Sequence, residues 1–113
     1  MPHCLIEYST NLSSQVKPST LVTSVFQAAL DSKLFTEDAI KVRAIAYEDY
    51  KIDSTKQGFV CVTAKILAGR TAAQKTDLSN RIFNAIKELA LESITYTVEI
   101  ADMDKECYGK STN

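Results

Sequence analysis

The chain has one histidine, three cysteines and no tryptophan, and these shortages exclude several kinds of chemistry. Cys4, Cys61 and Cys107 are odd in number, widely spaced and without a CxxC pair, so neither a disulfide framework nor a zinc site is indicated. They read as buried or incidental thiols. His3 has no second histidine to work with, and on a strand it points to the opposite side from its neighbour Pro2, so it receives no catalytic role. No apolar stretch approaches the ~18–20 residues of a membrane span, and no basic segment leads into a signal-type apolar run. A cytoplasmic address is therefore the expectation. The formal net charge of -1 supplies no field that would favour nucleic acid or an anionic membrane. Aromatic RNA-binding signatures are likewise missing from the strand-like segments.

What is present describes an ordinary globular protein, 45% hydrophobic and 24% charged. At 113 residues the expectation is one domain spanning 1–113, large enough for a core and small enough that association would help to bury it.

The segments form one unit used twice. Residues 2–8 read as a strand, followed by a polar loop and then Pro18-Ser19-Thr20, which suits a helix entrance. Leu21, Val22, Val25, Phe26, Ala28 and Ala29 recur at helical spacing as far as about residue 33. Residues 40–47 alternate apolar and cationic side chains as a strand does, and residues 48–57 make a polar connector or short hairpin. In the second half, residues 59–67 form a β-rich run that stops at Gly69, and Thr71-Ala72-Ala73-Gln74 fits a capping box. Leu78, Ile82, Ala85, Ile86 and Leu89 give the helix that follows one apolar face, and residues 94–100 alternate as a half-buried strand. The expected fold is α+β: two βαβ units, about 2–47 and 58–101, in pseudo-twofold arrangement. They make a four-stranded mixed sheet with both helices on one face. The polar tail from Asp102 to Asn113 is expected to pair weakly or to stay disordered.

This order of elements also describes ferredoxin-like domains of many functions, so chemistry has to come from particular residues. Pro2 follows Met1 directly. If Met1 is removed, Pro2 carries a free secondary amine, and α-amino groups titrate at roughly 7.7–8.0. Burial would lower that value further and make the nitrogen a general base at neutral pH. Proline near a terminus is also common without any such role. Arg70 stands between Gly69 and the cap Thr71, beside the positive end of a helix, where its planar fork could clamp a carboxylate or simply be solvated. Lys41 and Arg43 are two apart on a strand and share one face. With Val42 and Ala44 toward the helices, these cations face outward, exposed in a monomer and interior in an oligomer.

Taken together, the Met1-Pro2-His3 start, the Leu34-Phe35…Ile40-Lys41-Val42-Arg43 stretch and the Lys65-Ile66-Leu67-Ala68-Gly69-Arg70 turn resemble the tautomerase superfamily. The resemblance is strongest to its 5-carboxymethyl-2-hydroxymuconate delta-isomerase branch and covers about residues 2–101. It implies a tautomerase-like homotrimer whose sheets enclose a central barrel, with active sites near subunit boundaries and neither metal nor organic cofactor. It implies that Pro2 is the catalytic base and that Arg70 binds substrate carboxylate. Lys41 then falls where the family's basic strand residue is better known as arginine, and Arg43 matches a second basic position. The implied reaction is isomerisation of a small unsaturated keto or enol carboxylate or dicarboxylate, of the kind met in aromatic compound catabolism. Two alternatives are a tautomerase of phenylpyruvate-type keto acids, which the Lys41 substitution favours, and a noncatalytic metabolite-binding domain. Glu7 and Tyr47 are given structural roles.

Overall fold

Alternation along the first strand sets the layers of the molecule. The computed structural model describes residues 2–113. In β1, His3–Ser9, the side chains of Cys4, Ile6 and Tyr8 are buried while His3, Leu5 and Glu7 turn to the other face. The same two-residue period runs through β3, Gly58–Leu67, which buries Val60, Val62, Ala64 and Ile66 on the inner face. β2, Lys41–Tyr47, and β4, Ile94–Met103, flank this central pair. The strand order is β2-β1-β3-β4; β1 runs parallel to β2, β3 runs parallel to β4, and β1 and β3 are antiparallel. Two parallel βαβ halves joined by an antiparallel central pair give the doubled arrangement expected from the sequence.

Both crossover helices cover the inner face. α1, Pro18–Asp31, opens with proline at its first turn, where the missing N–H costs nothing. It buries Leu21, Val25, Ala28 and Ala29. α2, Ala72–Lys87, starts at the anticipated capping box: Gln74 N–H donates to Thr71 Oγ1 at 3.2 Å and Thr71 N–H donates to Gln74 Oε1 at 2.8 Å. Its buried residues Leu78, Ile82 and Ile86 join those of α1 and the strands in one core. α2 ends at Lys87 rather than near Leu89, because Ala90 turns left-handed at φ 52° and stops the helix. No helix of the described residues is long and apolar enough to cross a membrane.

The tail departs from expectation. β4 continues through Asp102 and Met103, opposite Ile66 and Leu67, because β3 extends equally far and offers backbone partners. A short 3-10 turn, Lys105–Cys107, follows and brings Tyr108 back onto the sheet, where its hydroxyl lies 2.8 Å from His3 Nε2.

Candidate functional site at the head of the first strand

The pairing pattern gathers one set of termini at a single end of the sheet. The start of β1, the start of β2, the end of β3 and the end of β4 all lie there. Pro2 enters β1 at this end and is fully buried, and its carbonyl accepts the backbone N–H of Lys41 at 3.0 Å. Gly69 makes the turn off β3 with φ +124°, a backbone conformation that side-chain-bearing residues rarely adopt. That turn delivers Arg70, whose guanidinium donates to the Leu34 carbonyl at 2.9 Å and lies 5.2 Å from the centroid of the Phe35 ring. Arg70 is thus half-buried and anchored to the loop between α1 and β2 rather than freely solvated.

Pro2 and Arg70 belong to this sheet end, whereas Lys41 and Arg43 stand exposed on the outer face, away from the helices. Val42 and Ala44 pack against the core, as the alternation required. Lys41 Nζ donates to the Asp38 carbonyl at 2.9 Å, and Arg43 Nη1 lies 3.4 Å from His3 Nδ1. Within one chain, therefore, the predicted substrate cations do not converge on a single point.

Lys65 joins them. His3 faces Lys41 on one side and Lys65 on the other, so three basic residues form a row across the outer face with Arg43 one step along. Among the described residues the ion pairs are Lys75–Asp102 at 3.1 Å and Arg81–Asp77 at 2.8 Å, and none of these four outer-face bases takes part. Burial, with the charges of Arg43, Lys41 and Lys65, holds the His3 imidazole below its ordinary pKa of 6.5. Burial also pushes the Cys4 thiol up to about 11, which keeps it protonated and unreactive.

Sequence reasoning gave His3 no catalytic role and assigned none to Lys65 or Tyr108; the structure sets the three together on the outer face. The strand alternation carried a signal for Lys65. None marked Tyr108, whose partner is 105 residues away. Glu7 and Tyr47 hydrogen-bond each other at the opposite end of the sheet, remote from Pro2, in keeping with a structural role.

Three clefts among the described residues are lined by other side chains than Pro2 and Arg70. One of about 630 Å³ runs between the helices past Gln27, Asp31, Arg81 and Glu88. The others, about 510 and 290 Å³, share Tyr50, Phe59 and Cys61 on the outer sheet face.

Comparison with curated protein sequences gives no match. Among solved structures, the chain is similar to a 5-carboxymethyl-2-hydroxymuconate isomerase from Deinococcus radiodurans R1, with TM-score 0.85, 22% identity, and coverage of 99% of this chain and 90% of that one. A 5-carboxymethyl-2-hydroxymuconate delta-isomerase superposes with TM-score 0.82 at 20% identity over 100% of this chain and 89% of that one. A fused 4-OT described as an asymmetric trimer gives TM-score 0.72 at 16% identity, covering 98% and 94%. These likenesses show that the fold is shared. The family model for 5-carboxymethyl-2-hydroxymuconate isomerase matches residues 2–113, and the chain belongs to that family of isomerases.

Proposed function

We propose that Pro2, freed by removal of Met1, is the general base of a cofactor-independent isomerase acting on an unsaturated keto or enol carboxylate such as 5-carboxymethyl-2-hydroxymuconate. With a 2-hydroxydienoate such as this, the amine takes the proton of the 2-hydroxyl, leaving a dienolate, and the resulting ammonium returns that proton at the far carbon of the conjugated system, giving the unsaturated 2-oxo acid. The balance closes with no external reactant. Arg70, with Lys41 or Arg43, holds the carboxylates and offsets the negative charge as it develops. The observation that carries this reading is the anchoring of Arg70 at the sheet end where buried Pro2 begins β1. A guanidinium with one donor fixed on Leu34 and a face on Phe35 is already oriented, and its remaining donors form a planar fork.

A homotrimer completes the site in this reading. Lys41 and Arg43 point away from the helix layer and do not meet Arg70 within one chain. A neighbouring copy laid against the outer face would bring those cations to a second Pro2.

A second reading, a tautomerase of phenylpyruvate-type keto acids, is favoured by one observation. Lys41 spends a hydrogen bond on Asp38 and lacks the bidentate fork of arginine, which weakens any grip on a second carboxylate. The noncatalytic alternative loses its support with membership of an isomerase family. Intact mass followed by an isomerisation assay tests the proposal. A sample that verifiably begins at Pro2 is expected to turn over 5-carboxymethyl-2-hydroxymuconate, and one that retains a residue before Pro2 is expected to be inactive. Equal activity in both would remove Pro2 from the mechanism.

A further inference from the structure

The tail after β4 is seated on the same turn that carries Arg70. Ala68 N–H donates to the Met103 carbonyl at 3.0 Å, and Asp104 Oδ1 accepts from Glu106 N–H at 2.9 Å. Lys105 lies so close across Gly69 that a Cβ there would come within 3.0 Å of its Nζ. From this seat the chain reaches over the outer face and sets Tyr108 edge-on to His3, with ring centroids 5.9 Å apart.

The hydrogen-bond directions in this group are constrained. A guanidinium has donors only, so the contact from Arg43 Nη1 to His3 Nδ1 requires a lone pair on Nδ1. A neutral imidazole with Nδ1 as acceptor carries its proton on Nε2. That Nε2–H then donates to Tyr108 Oη at 2.8 Å, and the phenol's own proton is left without an acceptor among the described residues. The groups facing the imidazole are Arg43 and Lys41 from β2, Lys65 from β3 and Tyr108 from the tail; no carboxylate bonds to it. A positively charged imidazole would meet three cations and would lose its bond from Arg43, so the neutral form is the stable one. The Tyr108 O–H therefore projects as a donor among Lys41, Arg43 and Lys65, at the sheet end where Pro2 and Arg70 lie. An unpaired donor amid unpaired cations suits one oxygen of a carboxylate.

We infer that Tyr108 contacts the distal carboxylate of the substrate, donating its hydroxyl hydrogen to it, and that His3 and Arg43 are positioning residues that aim this hydroxyl. The inference rests on the reading proposed above of a substrate with more than one carboxylate. Tyr108 would hold one carboxylate from the outer face, where a neighbouring copy brings its own Pro2 and Arg70 to hold another, so the tail would set which acids are accepted.

The sole histidine of the chain makes the test direct. In full-length protein labelled with 15N-histidine, the imidazole at pH 7.5 is expected to be neutral with its proton on Nε2. Titration with trans,trans-muconate, an unsaturated dicarboxylate, is expected to shift the Nε2 resonance in the parent protein and not in Tyr108→Phe. Tyr108→Phe should raise KM for a dicarboxylate substrate about 10-fold or more, as expected for a lost hydrogen bond to a charged group, with a smaller change in kcat and none for a monocarboxylate. His3→Gln, whose amide N–H replaces Nε2–H, should retain the parent KM, whereas His3→Leu should match Tyr108→Phe. A proton found on Nδ1, or muconate binding to saturation with the imidazole signal unmoved, would overturn the inference. These resonances do not depend on turnover, so failure of the Pro2 mechanism would leave them unchanged, and their failure would leave Pro2 as the base.

Discussion

Lys41 and Pro2 are tied backbone to backbone, the lysine N–H donating to the proline carbonyl at 3.0 Å, so the parallel ladder of β1 and β2 reaches the second residue of the chain. Pro2 has no amide hydrogen to offer that ladder and joins it by its carbonyl alone, while its ring is buried. Its nitrogen takes no part in holding the strand. The same residue of β2 thus fixes Pro2 through its backbone and sends its ammonium to the outer face.

Because the backbone bond survives any non-proline replacement, Lys41→Arg is expected to preserve fold and assembly while changing the outer face alone. A bidentate fork would then stand where a single ammonium now does. Turnover of a dicarboxylate should be retained or increased, read as kcat/KM beside an unchanged melting temperature. A collapse of activity would show that the Lys41–Asp38 contact is needed as it stands.

Arg70→Ala removes both the donor at Leu34 and the cation over Phe35. Transition-state stabilisation for a carboxylate-bearing substrate should fall by about 2–4 kcal/mol, the loss typical of one charge-stabilising donor in a water-poor site. Steady-state kinetics read this as a drop in kcat/KM. Unaltered kinetics would confine Arg70 to tethering the loop between α1 and β2.

Acid should destabilise the fold through His3. The folded imidazole titrates below its ordinary 6.5, so between those two values the unfolded chain binds more protons than the native one. Stability contributed by His3 is therefore full above about pH 6.5 and is lost as pH falls through that window. Thermal melts of the parent protein should drop more steeply below pH 6.5 than those of His3→Gln, which cannot titrate there. Parallel pH curves would mean that the imidazole is protonated as readily folded as unfolded.

How much of this was legible in the sequence follows from where each signal lies. Period-two burial in β3 and period-3.6 burial in α2 are local, and the Thr71–Gln74 box spans only four residues, so both halves of the fold could be read directly. Gly69 and Arg70 were legible because one residue marks the turn and its neighbour bears the charge. The outward placement of Lys41 and Arg43 followed from their spacing. The seat of the tail did not, since Tyr108 on His3 and Lys105 on Gly69 are long-range contacts that no periodicity announces. For the same reason His3 read as idle: strand geometry gave its face correctly, and what stood on that face came from three other segments.

Assembly offers a further check. The outer face leaves Ile45 49% exposed and Tyr47 37% exposed beside a row of unpaired cations, an arrangement better suited to an interior shared between copies than to bare surface. Light scattering at micromolar concentration should report about three times the 12.5 kDa chain mass. A stable monomer there would rule out the trimer and with it the supply of Lys41 or Arg43 by a neighbour.

The most demanding expectation concerns the pH dependence of the reaction itself. Pro2 is basic only as a terminal amine, and its buried position opposes protonation through desolvation. The kcat/KM profile of protein beginning at Pro2 should therefore show an acidic limb below the roughly 7.7–8.0 of an ordinary α-amino group. Pro2→Ala retains a primary amine in the same place and should keep part of the rate with the limb displaced, whereas a residue added ahead of Pro2 makes its nitrogen an amide and should abolish both rate and limb. His3 also titrates in this region, so the profile of His3→Gln assigns the limb: persistence identifies the amine. Disappearance of the limb in His3→Gln would transfer the general-base role from Pro2 to the imidazole.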